Sequence, residues 1–243
     1  LNLIYFTYQN CYKLKPYSML CFLFGWHAFI SLGAKLSRVK NICAHVGNYP
    51  PIREKKMKKF KILVQFGRLF TRKCICCSDY VMNATQEYFS LPKNSLTRIY
   101  NCCDFEKFGN NHRKFLKFKK TLNLGMVARL EKHKDQTTLI KAIPLIIKEG
   151  INVKLLIIGD GSKRQELEKL SKKNGVEKNI FFLGSRRDIP KILSELDIFI
   201  FSAKEDEGFG IALAEAMVAG VPILASDAGA CLEILKNGEY GYI

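Results

Sequence analysis

Residues 207–217 read EGFGIALAEAM, and this stretch places two carboxylates, Glu207 and Glu215, on either side of a glycine-flexible helix start. Gly208 and Gly210 let the backbone approach a ligand closely, because glycine carries no Cβ. The first turn of the following helix offers free N–H groups and the positive end of the helix dipole to an anion. The stretch therefore suits a phosphorylated sugar as ligand.

Glu215 belongs to a segment, Ile211 to Ala219, that is apolar nearly all round, which predicts a buried helix. A carboxylate in such a helix is costly to desolvate unless a hydroxyl or a cation partners it. A bound ligand is one such partner. In the alternative interpretation, Glu207 only complements the helix dipole and Glu215 meets an arginine in the core.

Strands and helices alternate along the chain from Thr121 to the end of this motif. Apolar runs predict strands at 122–127, 153–158, 179–183, 197–201 and 221–225, with helices at 135–148, 162–173, from 188 onward and at 211–219. This alternation predicts a parallel, doubly wound α/β sheet that is covered on both faces. The first hundred residues are less regular, with helices predicted at 29–35, 60–70 and 85–89 and strands at 41–46, 74–77 and 98–101.

The segment from Ser202 to Asp227 resembles the E-x7-E signature of the family 4 retaining glycosyltransferases, part of the group 1 glycosyltransferases, which adopt the GT-B fold. Further pieces match in order: VARL at 127–130 with Lys134 after it, IGDG at 158–161, FLG at 182–184 and DIP at 188–190. The resemblance implies two Rossmann-like doubly wound domains. Residues 1–104 would be a partial acceptor-side domain, and residues 105–243 the domain that binds the nucleotide-sugar donor.

Members of this family are usually longer than 243 residues. We therefore expect the N-terminal domain to be incomplete and the last C-terminal helices to be missing. The linker between the domains is predicted near Asp104 to Lys120, where the polar cluster GNNH interrupts the pattern.

The resemblance also implies roles for individual residues. Arg129 and Lys134 would grip the donor diphosphate, because a guanidinium and an ammonium both bind phosphate oxygens well. Glu207 would lie beside the donor sugar, and Glu215 would accept hydrogen bonds from the ribose hydroxyls. The other implied contacts are those of the backbone with sugar or phosphate, at Gly208, Phe209, Gly210 and Ile211, and that of Arg186 with the base.

His45 ends a predicted strand in the sequence AHVG and resembles the histidine that faces the transferred sugar in related enzymes. A neutral histidine can orient a hydroxyl or support charge in a transition state. A purely structural role is the alternative. For Arg129 and Lys134, the alternative is a helix-terminal ion pair with Glu131 or Asp135.

The chain contains 39 basic and 22 acidic residues, which gives a net charge of +17 and favours anionic partners. Two dense basic runs occupy residues 53–59 and 113–120. They are either solvated surfaces or, for the first run, part of a basic helix that lies on an acidic membrane. We expect this peripheral membrane contact, a nucleotide sugar and a glycan or lipid-linked acceptor as partners, and no nucleic acid.

Nine cysteines without a disulfide-like spacing indicate a reducing compartment, so we expect a cytoplasmic location, with the membrane contact on the inner face. The C-x2-C at residues 74–77 lies in an apolar stretch, which favours buried thiols over a zinc site. No D-x-D pair follows a predicted strand. We therefore expect neither a metal nor another cofactor beyond the donor substrate itself.

These observations favour a retaining, metal-independent glycosyltransferase that moves a hexose from a nucleotide diphosphate sugar to a glycan or lipid-linked acceptor in cell-surface polysaccharide synthesis. The alternative is a non-catalytic nucleotide-binding remnant of a truncated gene. A dinucleotide dehydrogenase is disfavoured, because the GDG at 159–161 lacks the third glycine of that motif. A glycosidase would use two carboxylates but gives no reason for Arg129 and Lys134.

Overall fold

The computed structural model describes residues 2–50, 57–109, 120–132 and 134–243. The chain divides into two compact units, residues 1–101 and 102–243, and each is built on a parallel sheet. The predicted basic runs fall largely outside the described residues: the first is described from Met57 onward and the second at Lys120 alone. Most of the predicted linker also lies outside them.

The N-terminal unit contains a four-stranded sheet in the order β1-β2-β3-β4. Its strands are β1 Ser18–Cys21, β2 Asn41–Val46, β3 Lys73–Cys76 and β4 Leu96–Arg98. Its helices are α1 Asn2–Leu14, α2 His27–Leu36, α3 Met57–Arg68 and α4 Asp79–Phe89. Within the described ranges, no helix is both long and apolar enough to cross a bilayer.

Cysteines form part of the core of this sheet. Burial raises the pKa of Cys74 to about 11 and that of Cys76 to about 12, so both are neutral thiols at pH 7. They alternate with half-buried residues along β3 and pack as small apolar groups. The nine cysteines of the chain are all free thiols in the structure.

The C-terminal unit contains a five-stranded sheet in the order β7-β6-β5-β8-β9. Its strands are β5 Leu122–Val127, β6 Val153–Ile158, β7 Ile180–Gly184, β8 Ile198–Phe201 and β9 Ile223–Ala225. Its helices are α5 Phe105–Gly109, α6 Gln136–Lys148, α7 Arg164–Lys173, α8 Ile189–Glu195, α9 Ile211–Val218 and α10 Gly229–Ile234. The direction in which strands are added reverses at β5, whose neighbours are β6 and β8.

Both faces of this sheet are covered, as the doubly wound prediction requires. Leu155 and Ile157 of β6 lie in one apolar cluster, whereas Leu156 between them packs against the other. Successive residues of a strand point to opposite faces, so the two clusters lie on opposite sides of the sheet. The apolar runs of the sequence therefore reflect burial from both sides.

Several predicted boundaries differ from the structure. The helix predicted at 85–89 begins at Asp79, because Ser78 accepts a hydrogen bond from the Val81 N–H and caps it earlier. The strand predicted at 98–101 is β4, Leu96–Arg98, because its pairing with β3 ends where β3 ends. Four of the labelled elements, α1, β1, α5 and α10, were not predicted from the sequence. The aromatic residues of α1 are largely exposed, so they leave no buried periodicity to detect.

Candidate functional site

The loops that follow the five parallel strands of the C-terminal unit lie along one edge of its sheet. They contain Arg129, Gly159–Gly161, Gly184–Arg187, Ser202–Gly210 and Ser226–Asp227. Ligands of open α/β sheets bind at this edge, in the crevice where strand order reverses. That crevice lies between the loop after β5 and the loop after β8.

The loops after β5, β6 and β7 are joined by backbone hydrogen bonds. The Gly159 N–H donates to the Gly184 carbonyl at 2.8 Å, and the Leu130 N–H donates to the Asp160 carbonyl at 3.0 Å. A Cβ on Gly159, whose φ is 134°, would lie 2.0 Å from the Ala128 carbonyl oxygen. Only glycine therefore allows the close approach that holds the Arg129 loop in place.

The loops after β5 and β8 are paired across the crevice. Lys134 forms an antiparallel bridge with Ala203, and the Asp135 N–H donates to the Ser202 carbonyl at 3.0 Å. The Ser226 hydroxyl accepts from the Ala203 N–H at 2.9 Å and donates to the Ala203 carbonyl at 2.8 Å. These bonds hold the loop after β9 against the loop after β8.

Lys134 and Glu207 contact each other at this point. The Lys134 ammonium donates to Oε2 of Glu207, and their side chains are only 13% and 11% exposed. The ammonium also lies 5.1 Å from the centroid of the Phe201 ring, whose negative face attracts a cation. The pair is thus mostly removed from water, and Lys134 is less exposed than its loop position suggests.

The two carboxylates considered as alternative partners of Arg129 and Lys134, those of Glu131 and Asp135, bind other groups. The Asp135 carboxylate caps α6, accepting from the Thr138 N–H and hydroxyl, and the Glu131 carboxylate accepts from the Ser162 N–H and hydroxyl. Lys134 pairs with Glu207 instead. Arg129 is exposed at the end of β5.

Helix α9 begins at the edge of the sheet, directly after the loop that carries Glu207. Its N-cap is Gly210, whose φ of 91° lies in the left-handed region. A Cβ there would stand 3.2 Å from the Phe201 ring, so the helix start packs tightly against the ring that supports Lys134. Gly208 and Phe209 are buried, whereas Ile211 is exposed.

The environment of Glu215 differs from the prediction of a fully buried helix. Of the α9 residues, only Leu213 and Ala216 are buried, and Glu215 is half-buried. Partial burial raises the pKa of the Glu215 carboxyl, and the ammonium of Lys107 on α5 offsets part of that rise. Within the described part of the chain, no group donates a hydrogen bond to this carboxylate.

Arg186 lies after β7, two strands away from β5. Its guanidinium donates two hydrogen bonds to the Asp188 carboxylate, at 2.8 and 2.7 Å, and both side chains are exposed. This contact lowers the pKa of Asp188 to about 2. Asp188 therefore pairs with Arg186 and does not cap α8 with its side chain.

His45 lies in β2 of the N-terminal unit. Its ring is half-buried and tilted against Phe22, with centroids 5.1 Å apart. Burial lowers the pKa of His45, so the imidazole is neutral at pH 7. A neutral imidazole donates a hydrogen bond from one ring nitrogen and accepts one at the other.

Sequence reasoning missed three side chains that shape the C-terminal site: Phe201, Lys107 and Cys103. Phe201 sits in an apolar strand, so nothing in the pattern distinguishes it from a core residue. The thiol of Cys103 has a raised pKa because of burial and the nearby Glu215. Lys107 and Cys103 lie in or beside α5, which the sequence pattern did not predict.

A model of the family described as glycosyl transferases group 1 matches residues 107–243, which is more than half of the chain. The chain belongs to the group 1 glycosyl transferases. It is 26% identical over 186 residues to N-acetyl-alpha-D-glucosaminyl L-malate synthase of Bacillus anthracis, an alignment that covers 74% of this chain and 48% of that protein. It is 29% identical over 149 residues to the capsular polysaccharide biosynthesis glycosyltransferase CapM of Staphylococcus aureus, covering 59% and 39%.

The fold of this chain matches that of Anabaena HepE, crystallised with UDP and glucose. The TM-score is 0.84 at 19% identity, and the match covers 98% of this chain and 66% of HepE. The GT-B fold predicted from the sequence is therefore confirmed. The chain spans about half the length of the B. anthracis relative.

Replacing Lys134 by Met should destabilise the protein by about 3 kcal/mol, because it leaves the poorly exposed Glu207 carboxylate without its cation. Glu207→Gln should also destabilise, and the double variant should lose less than the sum of both. Urea unfolding at pH 7 measures all three. The exposed pair Lys236–Glu239 provides the control, since Lys236→Met should lower the stability far less. Equal effects at both pairs would show that Lys134 and Glu207 contribute no more than a surface ion pair.

Glu215→Gln should raise the melting temperature at pH 7. The folded-state pKa of Glu215 is raised above its usual 4.5. Between these two pKa values the folded chain binds more protons than the unfolded chain, so the free energy of unfolding falls as the pH increases through this range. Glutamine removes this loss. The gain should vanish below pH 4, where the carboxyl is protonated in both states. Lys107→Met should lower the melting temperature at pH 7, because it removes the cation that offsets part of the rise in the Glu215 pKa. A lower melting temperature for Glu215→Gln at pH 7 would contradict the conclusion that this carboxylate is destabilising.

Proposed function

We propose that this protein transfers a hexose from a nucleotide diphosphate sugar with retention of configuration and without a metal ion. The observation that carries the proposal is the contact of Lys134 with Glu207 in the crevice between β5 and β8. It joins a cation suited to phosphate and a carboxylate suited to sugar hydroxyls at the edge where parallel sheets bind ligands.

The donor diphosphate would bind between Arg129, Lys134 and the N-terminus of α9. Lys134 would exchange the Glu207 carboxylate for phosphate oxygens, so its charge would stay compensated. Lys134, which has little contact with water, would stabilise a leaving diphosphate more strongly than it would in bulk solvent. These two side chains and the helix dipole would supply the positive charge that a metal supplies in other transferases.

The nucleoside and the sugar would occupy opposite sides of this phosphate site. Glu215 has no hydrogen-bond donor among the described residues, and the ribose hydroxyls would satisfy its carboxylate. Glu207, released from Lys134, would accept from the donor sugar, with backbone contacts from Gly208 to Ile211. In a retaining reaction, the departing diphosphate would take the proton of the acceptor hydroxyl on the same face of the sugar.

The proposed product belongs to cell-surface polysaccharide synthesis, which the name of CapM supports. HepE, whose fold this chain shares, was crystallised with UDP and glucose, which favours UDP as the first nucleotide to test. The free thiols fit action in the cytoplasm. Nucleotide binding without any transfer would favour the alternative of a non-catalytic binding protein.

We also propose that the N-terminal unit contacts acidic membranes. Residues 1–101 contain 16 Lys and Arg and three Asp and Glu, so this unit carries +13 of the net charge of +17. Large aromatic side chains of the unit remain exposed: Tyr5, Phe6, Tyr12, Tyr17 and Trp26. Basic residues attract anionic lipids, and Tyr and Trp favour the headgroup region of a bilayer.

Arg129→Ala should weaken UDP binding by about 10- to 100-fold, because one charge-assisted contact to the diphosphate is lost. Uridine, which has no phosphate, should bind both forms equally. Isothermal titration of both ligands separates the phosphate contact from the nucleoside contacts.

Two further variants serve as controls for this titration. Glu215→Gln should weaken UDP and uridine alike, since ribose is common to both. Arg186→Ala should also weaken both if Arg186 contacts the base, and neither if it only pairs with Asp188. Unchanged UDP affinity for Arg129→Ala would remove that residue from the donor site, and an effect of EDTA on UDP affinity would contradict metal independence.

The chain should co-sediment with phosphatidylglycerol vesicles and not with phosphatidylcholine vesicles. Binding should decrease as salt is raised from 50 to 500 mM, because ions screen the attraction between exposed charges. Equal binding to both kinds of vesicle, or binding that salt does not change, would contradict an electrostatic membrane contact.

A further inference from the structure

Three polar or charged side chains of the C-terminal unit are buried among the residues that the structure describes: Gln136, Ser171 and Asp197. Ser171 donates to the Glu168 carbonyl within its own helix. Asp197 accepts from the Asn123 N–H at the amino edge of the sheet. Gln136 differs from both, because it lies at the start of α6, next to the candidate site. A buried amide is costly unless it is hydrogen-bonded, so its partner indicates what this side chain does.

The side chain of Gln136 reaches back from the first position of α6 to the end of β5. Its Nε2 donates to the Arg129 carbonyl at 3.0 Å. The Glu131 N–H donates to the same oxygen, also at 3.0 Å. A carbonyl oxygen has two lone pairs, and these two donors occupy both. The backbone of Arg129 is therefore tied to the helix that follows it.

The backbone on either side of Arg129 is also fixed. The Ala128 N–H donates to the Ile158 carbonyl at 3.0 Å, and the Leu130 N–H donates to the Asp160 carbonyl at the same distance. The Leu130 side chain is fully buried. Arg129 thus combines a fixed backbone with an exposed guanidinium, so mainly side-chain torsions remain to be ordered when an anion binds.

The helix start that carries Gln136 is anchored in the crevice between β5 and β8. The Asp135 N–H donates to the Ser202 carbonyl at 3.0 Å, and the Asp135 carboxylate caps α6 by accepting from Thr138. Ile140, about one turn further along, is fully buried in the core. The donor that holds Arg129 is therefore mounted on a rigid element, which positions a binding group better than a loop does.

We infer that Gln136 is a positioning residue for the donor phosphates: it holds the Arg129 backbone so that the guanidinium is ready to bind the diphosphate. The inference rests on the proposed function, in which Arg129 contacts the donor diphosphate. Gln136 would not touch the ligand and would act through Arg129. Its loss should therefore weaken the binding of a ligand only where that ligand carries phosphate.

The variant Gln136→Met removes the amide and keeps the length of the side chain. It should weaken UDP binding about three- to tenfold, because one neutral hydrogen bond that holds Arg129 is lost. Uridine, which has no phosphate, should bind the parent chain and the variant equally. Isothermal titration of the full chain with both ligands measures the two affinities. A general loosening of the site would weaken uridine as well, and that result would overturn the inference.

A double variant shows whether the effect passes through Arg129. In the Arg129→Ala background, Gln136→Met should cause no further loss of UDP affinity, because the side chain that it positions is absent. Two residues that act through one contact are not additive, whereas independent residues are. Additive losses in the double variant would therefore contradict a positioning role.

Asn179→Leu is the matched control. The Asn179 Nδ2 donates to the Val153 carbonyl at 3.0 Å, which is a bond of the same kind and length at the amino edge of the same sheet. Both variants should lower the melting temperature, and only Gln136→Met should lower UDP affinity. If Gln136→Met does not fold, Gln136→Asn takes its place, because its amide ends one methylene short of the carbonyl.

The outcomes separate this inference from the proposed function. Unchanged UDP affinity in the Gln136 variant, or an equal loss in Asn179→Leu, would overturn the positioning role while the donor site stands. A parent chain that binds no UDP, GDP or ADP would overturn the proposed function and the positioning role with it.

Discussion

The C-terminal unit depends on one electrostatic constraint: an ammonium and a carboxylate that have both lost most of their contact with water must stay together. Lys134 and Glu207 lie on loops that are more than 70 residues apart in sequence, yet their side chains form a hydrogen bond. The reversal of strand order at β5 brings these loops side by side, and backbone bonds from Asp135 and Ser226 hold them. The strand order of the sheet therefore places one positive and one negative charge side by side at its edge.

The parts of this arrangement that could be predicted are those with a periodic or conformational signal. The strands β5 and β6 follow from apolar runs, because both faces of each are covered. The glycines at 159 and 210 reflect backbone conformations and close contacts that exclude a Cβ. The meeting of the loops at one edge follows from parallel strands alone.

Other features had no such signal. The pairing of Lys134 with Glu207 depends on a contact between distant loops, and neither residue's neighbours in sequence reveal it. Asp188 has the position of a helix cap, yet the nearby Arg186 guanidinium competes successfully for its carboxylate. Helix α1 carries aromatic residues that stay exposed, so the usual link between apolar character and burial does not apply.

Phe201 connects two parts of the site that would otherwise be independent. The Lys134 ammonium lies 5.1 Å from the ring centroid, and the ring edge would crowd any Cβ added to Gly210 at the start of α9. Any change in the size of this side chain would shift the cation and the helix start together. A substitution at position 201 therefore acts on two parts of the structure, and in the proposed donor site it would change the surroundings of the phosphate and of the sugar together. Under the proposed function, a change of donor sugar would more readily begin at positions that touch only one of the two.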